Sequence, residues 1–216
     1  MFYDFAKRII DIVGATVGLI LFFPVFLLTA IAIKLESPGP AIYAPLRVGK
    51  VGKLFKMYKL RSMKIYNLAG ETVHADEYLK TKPQLFEKYK ASGYKLSKDT
   101  RLTRLGPALR KSSIDELLQL VNILKGEMSL VGPRAYLPEE LKEQQKVYPA
   151  TAPLVKTLLK AKPGLTGFWQ VSGRSKIPFD KRIKMDVEYI KKRSILYDFY
   201  LIFKTIPALL TGKGAV

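Results

Sequence analysis

The sequence predicts an α/β fold that is mostly helical, in which an N-terminal membrane helix precedes a small globular domain. Three features lead to this prediction. Residues 12–33 form an apolar run without a charge, apolar residues recur at helical spacing from Asp99 onward, and short apolar pairs between glycines at 41–63 indicate strands. The 216 residues suffice for one domain with an appendage.

The composition points to anionic partners. Lys and Arg number 37 against 18 Asp and Glu, a formal net charge of +19, while 48% of the residues are hydrophobic, too many for a disordered basic tail. The chain has no Cys, which excludes disulfides, thiol nucleophiles and thiolate metal sites. His74 is the single His, which excludes a His-rich metal site, and its charged neighbours predict that it is exposed. The expected partners are nucleic acid, phosphorylated small molecules or an anionic membrane.

The apolar run is long enough to enter a membrane. As one helix it would extend roughly 33 Å at about 1.5 Å per residue, against a hydrocarbon core of about 30 Å. Pro24 lies near its middle and is expected to kink the helix. Lys7 and Arg8 precede the run, and seven basic residues follow it at 47–64. Positive charge on both flanks disfavours the transfer of either flank across the membrane. This favours a helix that enters and returns to the same face, although a simple span stays open; the length disfavours a signal peptide.

The segment after the membrane helix is predicted to contain a turn, strands and an insertion. Ser-Pro-Gly-Pro at 37–40 is a turn signal, and apolar pairs alternating with glycine predict strands or a hairpin around Gly49–Gly52. The basic residues of this stretch form either a face against anionic lipid or a groove that binds phosphate. Residues 64–98 are polar, with apolar residues at roughly helical spacing, and predict an exposed helical insertion.

Helical spacing also predicts the elements of the second half. Apolar residues at 102–124 predict two helical runs, the second ending at Gly126, a typical C-cap residue. A charged helix is predicted at 138–147. The last helix, at 186–210, alternates aromatic and basic residues, which is typical either of an interfacial membrane helix or of ordinary core packing.

The candidate for chemistry is the pair of adjacent carboxylates Asp115 and Glu116. In a structural interpretation, Ser113 and Glu116 would form a capping box at the start of the second helical run. In a functional interpretation, two carboxylates among basic residues hold Mg²⁺ together with substrate phosphates, or one carboxylate attacks phosphorus as a nucleophile. Neighbouring arginines, among them Arg110 and Arg134, would then keep the pKa of the aspartate low and its carboxylate ionised.

A set of motifs runs along nearly the whole chain. Besides the apolar N-terminal segment, they are SPGP at 37–40, RVG at 47–49, KMYKLRSM at 56–63, DTRLTRLGPALRKSSIDELLQLVNILKGEMSLVGPR at 99–134, KPGLTGFWQVSGRS at 162–175 and the pair Asp186 and Tyr189. Together they resemble the monotopic phosphoglycosyl transferases, the bacterial sugar transferases. Phe23 stands where this family often has Ser before the kinking proline, and Leu118 and Ala135 stand where it has Pro. Both carboxylates are retained.

The resemblance implies an architecture. Residues 1–36 would be a re-entrant membrane helix with its entry, and residues 37–216 a small catalytic domain with amphipathic interfacial helices. Within that domain, 64–98 would be the exposed insertion and 186–210 the interfacial helix. The catalytic domain would lie on the cytoplasmic face of the bacterial inner membrane.

The resemblance also implies a reaction in two steps. Asp115 would attack the β-phosphorus of a UDP-sugar with release of UMP, and polyprenyl phosphate, in bacteria undecaprenyl phosphate, would then take the phosphosugar. Glu116 would assist, and Mg²⁺ is implied at Asp115 and Glu116. The residues expected to bind phosphate or donor are Arg110, Arg134, Lys59, Arg61, Gln119 and Arg174. The implied partners are a UDP-sugar, polyprenyl phosphate and anionic lipid; a second copy of the chain is left open, and nucleic acid is not expected.

A function of another class is compatible with the charge and the membrane segment alone. The chain could be a non-catalytic, membrane-anchored basic scaffold or a nucleic-acid-binding protein. The sequence has no stacking platform or recognition motif for nucleic acid, and the intact carboxylate pair favours the enzyme.

Overall fold

The structure, a computed structural model, describes residues 2–94, 96, 99–173 and 177–210. Helices account for 62% of it, so the mostly helical prediction is confirmed, and the helix predicted at 138–147 is present. The helices are α1 (Phe2–Glu36), α2 (Ala75–Lys80), α3 (Pro83–Ala91), α4 (Gly106–Ser112), α5 (Leu120–Leu124), α6 (Pro138–Val147), α7 (Ala152–Leu158), α8 (Phe168–Ser172), α9 (Phe179–Lys192) and α10 (Ile195–Leu210). Short 3₁₀ helices lie at Lys50–Gly52, Ile114–Gln119 and Pro149–Thr151.

Among the described residues, short strands form four pairs. The antiparallel pairs are β1 (Ile42–Tyr43) with β4 (Lys59–Leu60), β2 (Leu46–Val48) with β3 (Leu54–Lys56), and β5 (Ile65–Leu68) with β6 (Glu71–His74); β7 (Ser129–Val131) and β8 (Gly164–Thr166) are parallel. The hairpin predicted around Gly49–Gly52 is confirmed, because this turn connects β2 to β3.

One face of α1 packs on the domain along its length. Near its N-terminal end, the carboxylate of Asp11 accepts a hydrogen bond of 2.9 Å from the hydroxyl of Ser129. Just beyond its C-terminal end, the guanidinium of Arg61 donates to the carbonyl oxygens of Ser37 and Pro38 at 2.9 and 2.8 Å. Both ends of the helix therefore contact the same domain.

Two glycines allow α1 to approach the domain closely. A Cβ atom at Gly14 would lie 2.7 Å from Cδ1 of Leu130, and one at Gly18 would lie 2.9 Å from Cδ1 of Leu120. These distances are too short for real side chains. Because residues four apart share one face of a helix, the two glycines form a flat strip on which β7 and α5 pack.

The opposite face of α1 is apolar and exposed. Its most apolar 18-residue window has a mean hydropathy of 2.5, and only 11% of that window is buried, unlike a core helix of a soluble protein. In the part of the chain that the structure describes, α1 is the one helix long and apolar enough to cross a membrane. Helix α10 adds further exposed apolar side chains, which are Leu196, Phe199, Tyr200, Phe203 and Ile206. The two helices thus present much of the exposed apolar surface.

The segment 64–98 differs from the predicted helical insertion, because it begins with the hairpin β5–β6. Ala69 and Gly70 between these strands have φ angles of 51° and 89°, as in the two-residue turns that match the twist of a hairpin. Helices α2 and α3 follow. His74, predicted to be exposed, is half-buried with its ring centroid 4.5 Å from that of Tyr43.

The prediction of one continuous helix at 186–210 is wrong, because two helices cover this segment. Helix α9 starts earlier, at Phe179, and ends at Lys192. Arg193 is then extended, with φ −54° and ψ 130°, and the hydroxyl of Ser194 accepts the N–H of Tyr197 at 3.2 Å in the first turn of α10. The aromatic and basic spacing continues across this break, so periodicity alone could not locate it.

Candidate active site

A cavity of about 1220 Å³ lies between the basic side of the domain and the helices α1 and α10. Its wall combines two carboxylates with basic and apolar side chains. The carboxylates are Asp115 and Glu116, the basic residues include Arg47, Lys59, Arg61, Arg110 and Arg134, and the apolar residues include Ile9, Val13, Phe22, Ile202 and Ile206. Such a wall suits a ligand that carries both phosphate and a long apolar chain.

Asp115 and Glu116 lie on a 3₁₀ helix and not at the start of an α-helix. Helix α4 ends at Ser112, Ser113 has a φ of 58° in the left-handed region, and the 3₁₀ helix follows. The side chain of Ser113 makes no capping hydrogen bond, so the capping-box interpretation is wrong. Its carbonyl oxygen instead accepts the N–H of Glu116 at 3.1 Å. The chain reverses at Ser113, and both carboxylates line the cavity.

Asp115 combines burial with an unpaired carboxylate oxygen. The residue is 5% exposed, and its Oδ1 has no hydrogen-bond partner among the described residues. Burial raises the pKa of Asp115 to about 6; the charges of Lys59 and Arg110 lower it, and that of Glu116 raises it. The predicted low pKa is therefore wrong, because the loss of hydration outweighs the cationic neighbours. A buried carboxylate of this kind is poised for chemistry near neutral pH.

Basic side chains from two elements lie near the dyad. On β4, the ammonium of Lys59 lies 2.6 Å from Oε1 of Glu116. On α4, the guanidinium of Arg110 donates from Nε to the hydroxyl of Ser62 at 3.2 Å, and it lines the cavity. The structure therefore brings Lys59 and Arg110 near the dyad, where the charges of both act on Asp115.

The loop that carries Arg134 is held by a buried carboxylate. Oδ2 of Asp186 accepts the backbone N–H of Arg134 at 3.1 Å and the hydroxyl of Tyr136 at 3.2 Å. Burial raises the pKa of Asp186 to about 7. The guanidinium of Arg134 lies 5.0 Å from the ring centroid of Trp169 and 3.8 Å from the carboxylate of Glu140. These contacts hold Arg134 in the cavity wall.

The other predicted donor-binding residues are placed differently. Gln119 is 3% exposed and lines the cavity. Arg61 also borders the cavity, but its guanidinium N–H groups bind the carbonyl oxygens of Ser37 and Pro38. A phosphate contact for Arg61 is therefore not supported, and the side chain instead fastens the end of α1. Arg174 lies outside the described residues.

Arg47 of the RVG motif belongs to the basic stretch 47–64 but is not one of the predicted donor-binding residues. The structure places it in the cavity wall. The insertion, predicted to be exposed, contributes His74, Asp76, Tyr89 and Tyr94 to the same wall. These residues come from separate strands, helices and turns, so no local spacing links them. The RVG motif is the one sequence feature that could have identified Arg47 as a site residue.

The dyad fits a hard divalent cation. Mg²⁺ is commonly bound by one or two carboxylates, with substrate phosphates and water as the remaining ligands. Asp115 and Glu116 are adjacent, and one carboxylate oxygen of Asp115 is unpaired. Within the described ranges, no group of three or more His, Cys, Asp or Glu could hold a metal ion, so a cation here would also need ligands from phosphate and water.

Comparison with known proteins finds relatives along nearly the whole chain. The profile of the family described as "Bacterial sugar transferase" matches residues 2–212. The exopolysaccharide production protein ExoY of Rhizobium meliloti (strain 1021) is 39% identical over 210 residues, which cover 97% of this chain and 88% of that relative. The undecaprenyl-phosphate galactose phosphotransferase of Salmonella typhimurium is 39% identical over 218 residues, covering 98% of this chain and 42% of that relative. The UDP-glucose:undecaprenyl-phosphate glucose-1-phosphate transferase of Caulobacter vibrioides is 38% identical over 217 residues, covering 98% and 72%. The two transferases differ in the sugar that their names state.

Proposed function

This chain belongs to the bacterial sugar transferase family, and from that premise we propose that it transfers a sugar 1-phosphate from a UDP-sugar to polyprenyl phosphate. The enzyme is a phosphoglycosyl transferase. The acceptor is undecaprenyl phosphate, and the reaction is the first membrane step of bacterial glycoconjugate or exopolysaccharide synthesis. The observation that carries the proposal is the buried carboxylate of Asp115, which has one unpaired oxygen and lies in a cavity with cationic and apolar walls.

In the first step, a carboxylate oxygen of Asp115 attacks the β-phosphorus of the donor. A bond forms between that oxygen and phosphorus, the bond from phosphorus to the bridging oxygen breaks, and UMP leaves with the bridging oxygen and its electron pair. The phosphosugar stays on Asp115 as an acyl phosphate. Arg110 and Lys59 provide positive charge beside the phosphoryl group, where negative charge increases in the transition state.

In the second step, an oxygen of polyprenyl phosphate attacks the same phosphorus. The bond between phosphorus and the carboxylate oxygen breaks, Asp115 is regenerated, and polyprenyl-diphospho-sugar leaves. The apolar wall from α1 and α10, with Ile9 and Ile206, accommodates the first part of the polyprenyl chain. A lipid phosphate that lies in the membrane surface would thereby reach the dyad.

We propose that Asp115 and Glu116 hold Mg²⁺ together with the donor diphosphate. The bound ion would neutralise charge on the diphosphate oxygens. The unpaired Oδ1 of Asp115 supports this role, because it leaves one carboxylate oxygen available to the ion.

The docking of both ends of α1 supports the re-entrant arrangement. A straight helix of this length would extend roughly 50 Å at about 1.5 Å per residue, so a span would separate its ends by the hydrocarbon core. Near the N-terminal end, Tyr3 and Lys7 donate to Asp198 at 3.0 and 2.7 Å. At the other end, the carboxylate of Glu36 accepts the N–H of Leu105 at 3.3 Å. We therefore propose that both flanks and the cavity lie on one side, the cytoplasmic face of the inner membrane.

Release of UMP tests the function. The protein in nanodiscs, supplied with undecaprenyl phosphate and a panel of UDP-sugars, is expected to release UMP from at least one of them. Asp115→Asn should abolish release, while the control Asp4→Asn, at a side chain 65% exposed on α1, should keep the wild-type rate. Turnover by Asp115→Asn would contradict the mechanism. Absence of UMP release across the panel would contradict the enzyme and favour a non-catalytic scaffold.

A further inference from the structure

The guanidinium of Arg47 is buried without the acceptors that buried arginines normally have. Its Nε and Nη1 are shielded from solvent and have no hydrogen-bond partner among the described residues. Two other arginines nearby are bound: Arg101 donates to both oxygens of Asp99 at 2.8 and 2.8 Å, and Arg182 lies 3.2 Å from Glu140. Because an unpaired buried charge is costly, this guanidinium is suited to bind an anionic ligand.

The carboxylates around Arg47 are already engaged by other groups. Asp76 accepts hydrogen bonds from Tyr43 at 2.6 Å and from Arg101 at 3.1 Å. Glu140 is shared by Arg182 and Arg134. Burial lowers the pKa of Arg47, and the positive charge of Arg134 lowers it further. The wall therefore holds an excess of positive charge that an anionic ligand would relieve.

The position of Arg47 relative to the dyad suggests which anion it binds. Arg134 interacts electrostatically with Glu116 of the dyad and also with Arg47, and all three residues line the same cavity. A donor whose β-phosphorus faces Asp115 has its α-phosphate and nucleoside on the far side of the bridging oxygen. We propose that Arg47, with Arg134, binds the α-phosphate of the donor, which becomes the phosphate of the UMP leaving group; this rests on the proposed function.

The chemistry of a guanidinium suits this role. Its planar fork donates two parallel N–H bonds to phosphate oxygens and remains charged at any physiological pH. When the bond to the bridging oxygen breaks, negative charge accumulates on the leaving phosphate, where Arg47 would stabilise it. A lysine would keep the charge but lose the paired donors. In-line displacement in the second step brings the phosphate of polyprenyl phosphate to the position that the UMP phosphate left, so Arg47 would act in both loading and discharge.

The two phosphates that this site would bind define the experiment. Arg47→Ala and Arg47→Lys are compared with the same substitutions at Arg104, an exposed arginine outside the cavity. UMP affinity is measured by calorimetry, loading by transfer of label from a UDP-sugar with a labelled β-phosphate, and discharge by adding polyprenyl phosphate to loaded, nucleotide-free enzyme. Both Arg47 variants should bind UMP at least tenfold more weakly and load at least tenfold more slowly, and discharge should slow as well, because the acceptor phosphate enters the position that the UMP phosphate leaves. The Arg104 variants should match wild type in all three measurements.

The outcomes distinguish this inference from the proposed function. A folded Arg47 variant that binds UMP within twofold of wild type overturns the assignment of Arg47. The same losses in the Arg104 variants also overturn it, since a general loss of positive charge would do this. Weakened UMP binding in the Arg47 variants, with no labelling even of wild type, supports the phosphate site but contradicts the covalent mechanism. Arg47→Lys keeps the test valid if the alanine variant does not fold.

Discussion

The ammonium of Lys59 lies 2.6 Å from Oε1 of Glu116, and this ion pair joins the basic strand β4 to the acidic dyad. The same ammonium lowers the pKa of the neighbouring Asp115. One lysine therefore acts on both carboxylates: it neutralises one by pairing and helps to ionise the other. The basic stretch around β4, which the sequence left open as a lipid-facing surface or a phosphate groove, thus contributes directly to the candidate active site.

Replacing Lys59 should weaken the nucleophile. In Lys59→Met the pKa of Asp115 is expected to rise, so less carboxylate is ionised at pH 7 and loading slows at least tenfold. The midpoint of the pH profile of loading should move to higher pH. Lys56→Met, at an exposed lysine on β3, is the control and should leave the loading rate and the midpoint of its pH profile unchanged. An unshifted profile in Lys59→Met would remove Lys59 from this role.

The wild-type enzyme should lose loading activity in mild acid. Only ionised Asp115 can attack phosphorus, and its pKa of about 6 leaves about a tenth of it ionised at pH 5. Initial rates of label transfer from pH 5 to 8 should therefore rise through about pH 6 and level off above pH 7. A flat profile over this range would show that Asp115 is not the titrating nucleophile.

Asp115→Asn should stabilise the protein while abolishing activity. The rise of the pKa from 3.8 to about 6 corresponds to roughly 3 kcal/mol of preference for the neutral form. Because the folded-state pKa is raised, the contribution of Asp115 to folding stability is greatest below about pH 4 and is lost as the pH rises from about 4 through 6. The midpoint of thermal unfolding of Asp115→Asn should exceed that of wild type at pH 8, and the difference should shrink at pH 5. A lower midpoint than wild type at pH 8 would indicate that the ionised carboxylate is satisfied by its surroundings.

The topology of α1 can be tested with single cysteines, because the chain has none of its own. Asp4→Cys and Lys34→Cys lie at exposed positions near the two ends of the helix. Both should react with a membrane-impermeant maleimide in inverted membrane vesicles, and neither should react in intact spheroplasts. The domain control Lys82→Cys should show the same pattern. Labelling of the two helix positions from opposite sides would establish a simple span.

Local patterns in the sequence predicted the elements that local chemistry determines. The helix at 138–147 and the β2–β3 hairpin follow from apolar spacing and glycine, and the structure contains both. The reversal at Ser113 and the turn at Ala69 could not be predicted, because neither residue type favours a positive φ. Packing of the flanking elements imposes these conformations, and helical spacing carries no information about them.

The candidate site shows the same division. Asp115, Glu116, Lys59 and Arg110 could be named from motifs, and the structure brings them together. The raised pKa of Asp115 could not be predicted from the sequence, because it depends on burial that only the folded chain creates. The unpaired guanidinium of Arg47 likewise becomes informative only when its surroundings are known.

The most direct test of the central claim is the covalent adduct itself. Wild-type protein incubated with its UDP-sugar and no polyprenyl phosphate should gain the mass of one sugar phosphate, and peptide mapping should place that mass on Asp115. Adding polyprenyl phosphate should remove it. A protein that releases UMP and forms lipid-linked product without any such adduct, or that carries the phosphosugar on another residue, would contradict the account.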